Sequence, residues 1–276
     1  CVQQGSVHQS TSSAPSPPRG MTSTMVVTTY DIIVGDSHEP LYGGLVVGLI
    51  TLACTAILEV TDLAAVKRVL NQAGDGRGLY RTALVMNVLN TIIIGPIVWH
   101  IAVKLMCGPL KALHARVADT IGLLVVHALG YYLVHAAMHR PSLYQFHKLH
   151  HRFHANMTPL SANCVSTFEF CTAYMLPFVV GIFLLRPDKL ALLSAVSWIS
   201  FTNLLVHMPS LADVSERYLP AVFVGTHDHL EHHKHLTMAY AAPTISVDRI
   251  ISAAANAFCV DRPTCPESKT AQSKGK

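Results

Sequence analysis

The chain has 276 residues, of which 51% are hydrophobic and 13% charged, with a formal net charge of +4 and a mean hydropathy of +0.38. A soluble domain is usually about 25% charged, so this composition excludes an ordinary water-soluble fold and points to a membrane protein. The lack of any Lys/Arg block argues against nucleic acid as a partner, whereas the net charge says little, since 17 histidines can titrate.

Residues 1–40 are polar and rich in Ser, Thr, Gln and Pro (Ser12-Ser13-Ala14-Pro15-Ser16-Pro17-Pro18). Such a stretch buries too little apolar surface to offset chain entropy, which predicts a disordered polar arm. Apolar segments follow at roughly 43–60, 83–106, 117–134, 170–186 and 189–206. A helix crossing a bilayer needs about 20 apolar residues. The second segment meets this despite Pro96, the third is adequate, and the first carries Glu59 near its end. The last two, separated only by Arg186-Pro187-Asp188-Lys189, read as a tight helical hairpin that enters the membrane and returns. The expected fold is an all-α integral membrane protein with about four to five transmembrane or membrane-embedded helices. The membrane domain is expected over 41–255, with a polar tail over 256–276.

Two histidine-rich stretches stand out. The first runs from His135 to His154 after the third apolar segment, and the second from Thr226 to His235 after the fifth. A hairpin between them returns the chain to the side it left, so both stretches share one face. Lys67, Arg68, Arg77, Arg81, Arg140, Lys148, Arg152, Arg217, Lys234, Arg249 and the basic tail fall on that side, and Arg19, Lys111, Arg116, Arg186 and Lys189 on the other. By the positive-inside rule the histidines form a helical cap on the cytosolic face.

Residues i, i+3 and i+4 share a helix face. His135/His139, His147/His150/His151 and His229/His232/His233 all have this spacing, which predicts that each box presents its imidazoles to one point. Pro141 ends the first helix and lets the next turn back. Eight histidines, with His207 as a ninth, are too many for one ion, since a zinc takes about three or four ligands; two ions suit them. Imidazole favours zinc, copper, iron or nickel over calcium or magnesium. Lone histidines such as His100 and His114 read as interface or surface residues. A loose metal-buffering tract would have low complexity, whereas here Leu143, Tyr144, Phe146, Leu149 and Phe153 interleave. The seven cysteines (Cys1, Cys54, Cys107, Cys164, Cys171, Cys259, Cys265) are dispersed without a C-x-x-C pair, which argues against a disulfide framework.

The order H-x3-H, H-x2-H-H, H-x2-H-H, with Arg140-Pro141, Leu143-Tyr144 and the run Pro159-Leu160-Ser161-Ala162 leading to Glu169, resembles the fatty acid hydroxylase and sterol desaturase superfamily over roughly 85–250. That resemblance implies a membrane oxygenase with a histidine-bound di-iron centre and O2 as co-substrate. The ligands it implies are His135, His139, His147, His150, His151, His229, His232 and His233. Asn203-Leu204-Leu205-Val206-His207 is similar to the family's Asn-x3-His, which implies His207 as a further ligand and Asn203 as a water-mediated one; as a bare residue, Asn203 is equally a helix-end polar group. His227, Asp228, Glu231 and His154 are candidates to support the ligands, the acids by accepting imidazole N–H bonds. His127 and Tyr131, eight and four residues before His135, fall on the same helical stripe and are candidates for the wall of a substrate passage; the alternative for His127 is a hydrogen bond to a neighbouring helix.

The resemblance further implies a sterol or fatty-acyl lipid substrate. Hydroxylation is the first expectation, with sterol desaturation or sterol C-4 methyl oxidation as alternatives. It also implies residence in the endoplasmic reticulum, and a separate b-type cytochrome and NAD(P)H reductase as electron donors. A reading of another class is a membrane metal-binding or transport protein; transport sites sit near the bilayer midplane between broken helices, whereas these boxes sit at helix ends.

Overall fold

The structure, a computed structural model, describes residues 40–260. It is all-α: no strand forms among the described residues, only a lone antiparallel bridge between Phe223 and Ile245. Five helices are long and apolar enough to cross a membrane. They are α1 (Pro40–Thr61), α3 (Gly76–Met106), α4 (Leu113–Met138), α6 (Thr167–Leu185) and α7 (Lys189–Val206). Short helices fill one end of the bundle: α2 (Leu63–Leu70), α5 (Tyr144–His151), α8 (Ala212–Tyr218) and α9 (Thr226–His235), followed by α10 (Val247–Val260). The five apolar segments expected from sequence are these five long helices. The arm expected over 1–40 lies outside the described residues save Pro40, and so does the tail beyond 260; residues 256–260 continue α10.

Two spanning helices contain a π-helical segment, Leu89–Ile94 in α3 and Phe170–Met175 in α6. In both, a proline follows two residues later, Pro96 and Pro177. A proline has no N–H for the carbonyl four residues back, and the widened turn re-pairs the backbone: Gly95 N–H reaches Asn90 O, and Leu176 N–H reaches Cys171 O. The prolines thus leave both helices continuous.

α1 lies against the α3 π-segment through Gly44 and Gly48. A Cβ at Gly44 would stand 2.7 Å from Pro96 Cα, and one at Gly48 would stand 2.2 Å from Thr91 O. This is backbone-to-backbone packing of the kind small residues permit where no hydrophobic effect drives helices together.

The two ends of the bundle are held differently. At one end the 186–188 turn meets the 107–112 loop. Gly108 N–H donates to Pro187 O at 2.9 Å, and buried Asp188 caps α7 at Ala191 while accepting from Lys111 N and from Arg116 Nε at 3.1 Å. At the other end, buried polar side chains grip the 159–165 segment. Glu59 accepts from Leu160 N and from Tyr80 Oη, each at 2.7 Å. Asn87 donates to Leu160 O at 2.8 Å and Asn90 to Val165 O at 3.1 Å. Glu59, which weakens the first segment as a span, is therefore an anchor at the helix end, and Asp62 just beyond it receives Ser210 Oγ at 2.8 Å. Gln72 donates to Arg152 O, which puts the Lys67–Arg81 stretch at the histidine end, as the hairpin topology requires. The hairpin brings the two histidine stretches to the same end of the bundle.

Gly48→Ala forces a methyl group onto the Thr91 carbonyl. It is expected to destabilise the bundle by about 1–3 kcal/mol, read as a lower thermal unfolding midpoint in detergent; an unchanged midpoint would contradict the α1–α3 contact.

Candidate metal centre

The nine histidines expected as ligands all sit at this end, on four helices. His135 lies in the last turn of α4 and His139 caps it; His147, His150 and His151 lie on α5; His207 caps α7; His229, His232 and His233 lie on α9. All but the partly exposed His139 are buried, none more than 2% exposed.

They form two groups. His135, His139, His147, His151 and His232 make one, and His150, His207, His229 and His233 the other; within each group the candidate ligand nitrogens lie within 4.8 Å of one another. The boxes therefore do not each converge on one point, as their spacing suggested. Residues i and i+4 project about 40° apart on a helix, whereas i+3 and i+4 project about 100° apart. His147 and His151 accordingly face the first group while His150 faces the second. On α9, His229 and His233 face the second group while His232 faces the first.

The nitrogen spacing fits metal ions. With metal–nitrogen bonds of about 2.1 Å, neighbouring ligands stand about 3 Å apart and opposite ones about 4 Å. In the first group His147 Nε2 lies 2.9 Å from His135 Nε2 and 2.8 Å from His151 Nε2, and His139 Nε2 lies 3.3 Å from His135 Nε2. In the second, His207 Nε2 lies 3.0 Å from His229 Nε2 and 3.4 Å from His150 Nε2, with His233 Nε2 3.1 Å from His150 Nε2.

The opposite edges of several rings are held by acceptors, which fixes the tautomer and leaves the Nε2 lone pair free. His135 Nδ1 lies 2.7 Å from Tyr240 O, His232 Nδ1 2.7 Å from Met238 O, and His207 Nδ1 2.7 Å from Asn203 O. His147 Nδ1 lies 2.6 Å from Glu169 Oε1, both groups being buried. His232 Nε2 has no hydrogen-bond partner despite full burial, the state expected of a nitrogen waiting for a metal. Burial, reinforced by neighbouring imidazoles, pushes His150, His151, His229 and His233 below the ordinary imidazole range; burial lowers His232 too, and takes His139 down to about 3 and His207 to about 4. Neutral imidazoles are the form that ligates.

The candidate supporting residues do not reach the ligands. His227 is exposed; Asp228 pairs with Arg249 at 2.7 Å, Glu231 with Lys234 at 2.7 Å, and exposed His154 sits in a left-handed turn (φ 47°). Asp228 and Glu231 each adjoin a ligand in sequence, but one residue is about 100° of helix, and both point outward. Asn203 is buried, donating to Ala162 O at 3.4 Å while its own carbonyl holds His207. The carboxylate that does support a ligand is Glu169, visible in the sequence only as the end of the run after the second box. The Tyr240 and Met238 carbonyls carry no side-chain signal at all.

An apolar cavity runs inside the bundle between α1, α3, α4, α6 and α7, and it meets the histidine end through Asn203, whose carbonyl holds His207. Asn163, Asn203, Tyr174 and His127 line it, with Trp99, Leu192 and Ile182 further down.

Comparison with known proteins converges on this region. Residues 120–253, which contain all nine histidines and Glu169, match the family model described as fatty acid hydroxylase. Fatty acid hydroxylase ahd1 of Mycosarcoma maydis is 27% identical over 124 residues, which cover 45% of this chain and 31% of that protein. The chain thus spans less than a third of that relative's length. No solved structure matches.

Removing the Glu169 carboxylate leaves His147 unoriented. Glu169→Ala is expected to weaken metal affinity about 10–100-fold with helicity unchanged, and Glu169→Gln, which keeps an acceptor oxygen, to lose less; equal affinity in all three proteins, by competition with a chelator, would contradict the role. The depressed histidines also give a pH dependence. Between the ordinary value of 6.5 and about 4 the folded protein keeps neutral imidazoles that the unfolded chain would protonate, so acid favours unfolding. The metal-free protein is expected to be most stable above pH 6.5 and to lose thermal stability steadily as the pH falls to 5. A flat profile would contradict buried neutral histidines.

Proposed function

We propose that this member of the fatty acid hydroxylase superfamily is a membrane oxidoreductase that uses O2 to hydroxylate a C–H bond of a lipid. The observation that carries the proposal is the pair of buried all-histidine groups, five and four strong, beside an apolar cavity between the spanning helices that is lined by Asn203, whose carbonyl holds His207. Imidazole-rich sites suit iron, and two groups suit two ions; when bound, these would supply the activation of O2 that no side chain can perform. His135, His139, His147, His151 and His232 would hold one ion and His150, His207, His229 and His233 the other.

The protein's own part is positional. Glu169 and the Tyr240, Met238 and Asn203 carbonyls engage Nδ1 of His147, His135, His232 and His207 and direct the Nε2 lone pairs of those four rings inward. The apolar walls bind an alkyl portion of the substrate by burial and exclude water from the oxidised carbon. The substrate enters sideways from the bilayer, into which the exposed apolar faces of the five spanning helices project. The excess of Lys and Arg at the histidine end supports a cytosolic orientation of that end, and the family likeness supports residence in the endoplasmic reticulum. A separate b-type cytochrome, fed by an NAD(P)H reductase, would deliver electrons there.

The test is metal content and O2-dependent turnover of the detergent-purified protein beside a His150→Ala/His151→Ala variant, with a reductant system and a mixed sterol and acyl lipid extract read by mass spectrometry. The expected result is two irons per chain and a product heavier by one oxygen atom, both diminished or lost in the variant. A product lighter by two hydrogens would make the enzyme a desaturase. Well-folded protein that binds no metal would overturn the proposal.

A further inference from the structure

His127 lies in the middle of α4, two helical turns below His135, and is fully buried. Its ring packs against Phe178, centroids 4.5 Å apart, and lies 6.1 Å from that of Tyr131. The Tyr174 carbonyl lies beside it, but neither ring nitrogen completes a hydrogen bond. A buried polar group without a partner is costly, and in a membrane interior water does not easily replace the partner.

The surroundings sharpen the point. His127 lines the apolar cavity together with Thr91, Tyr174 and Asn203. Those three have partners: Thr91 Oγ1 donates to Asn87 O at 2.6 Å, Tyr174 Oη to Ala162 O at 3.2 Å, and Asn203 Nδ2 to Ala162 O at 3.4 Å. Trp99, further down the same cavity, leaves its indole N–H unpartnered as well. A cavity meant for a bare alkyl chain has no use for unpaired imidazole and indole groups in its wall; a hydrophobic residue of similar size would serve better there.

We propose that His127 hydrogen-bonds an oxygen carried by the buried end of the substrate, so that the cavity selects lipids with a hydroxyl or carbonyl deep in the bilayer over their plain hydrocarbon counterparts. The residue stands about 12 Å below the level of His135 at 1.5 Å rise per residue, which places the recognised oxygen far along the molecule from the carbon presented to the metal groups. Two lipid classes carry such an oxygen: a sterol entering side chain first, with its ring hydroxyl lowest, and an acyl chain already hydroxylated or oxidised towards its methyl end. The inference takes the cavity as the substrate site, as the proposed function does, but adds a chemical requirement that the histidine groups do not.

The test is lipid binding to the full-length protein in nanodiscs, which needs no turnover. Matched pairs are compared: a 3-hydroxysterol with its 3-deoxy counterpart, and a chain-hydroxylated fatty acid with the plain acid. The wild type is expected to bind the oxygenated member of at least one pair tenfold or more tightly; which pair does so identifies the source of the oxygen. His127→Leu is expected to abolish the preference without weakening the plain lipid, and His127→Gln, which retains a donor, to restore part of it. Equal affinity within both pairs in the wild type, or no saturable binding of any of the four, overturns the inference, and neither result depends on a variant folding. A preference of the wild type that survives in His127→Leu also overturns it. The two readings separate cleanly. A lipid held more tightly for its oxygen yet never oxidised supports this inference against the hydroxylase reading, and a lipid oxidised with no such preference does the reverse.

Discussion

Nine neutral imidazoles aimed at one another are the constraint on which the rest of the structure depends. Ring nitrogen faces ring nitrogen across 2.8–3.4 Å in both groups, an arrangement that gains little by itself. Four of the rings are pinned at their outer edges. Backbone carbonyls at Asn203, Met238 and Tyr240, and the Glu169 carboxylate, each take an Nδ1. Those acceptors are in turn fixed by the fold. Asp248 receives the Tyr240 and Ala241 N–H groups, and Ser166 caps the short turn that carries Glu169. The centre is thus assembled from outside inward.

The membrane helices serve this assembly more than they resemble a generic bundle. Buried polar residues concentrate at the histidine end of α1 and α3, where Glu59, Asn87 and Asn90 hold the 159–165 segment against the floor of the cap. Towards the other end the interior turns apolar, with Trp99, Leu123, Phe178, Ile182 and Leu192 in one cluster. Polar hold and apolar space are therefore stacked along one axis, and the cavity connects them.

Much of this was legible in the residues. Hydropathy located the five spans, and the i, i+3, i+4 histidine spacing located residues that gather in the two groups, because both signals are local and strong. What stayed hidden was how faces meet. Spacing on one helix could not say that His150 parts company with His147 and His151, since that depends on where α7 and α9 arrive. Asp228 and Glu231 looked like supports through adjacency to ligands, yet adjacency on a helix means divergence; Glu169, eighteen residues beyond the second box, has the role instead. Carbonyl partners leave no trace in residue identity. Pro96 and Pro177 were visible as interruptions, but the π-turns that absorb them follow from backbone re-pairing, which composition does not encode.

The division of α5 and α9 between the two groups has a mechanical consequence. The groups share no residue, and no carboxylate of the described residues belongs to either; α5 and α9 join them, together with ring contacts such as His151 against His233, centroids 4.6 Å apart. Rotating α5 to improve the fit of His147 and His151 swings His150 away from its own partners, and α9 imposes the same bargain on His232 against His229 and His233. The separation between the two positions is therefore gauged by the angular pitch of the α-helix itself, and the pair behaves as one lever with two jaws, in which closing one sets the opening of the other.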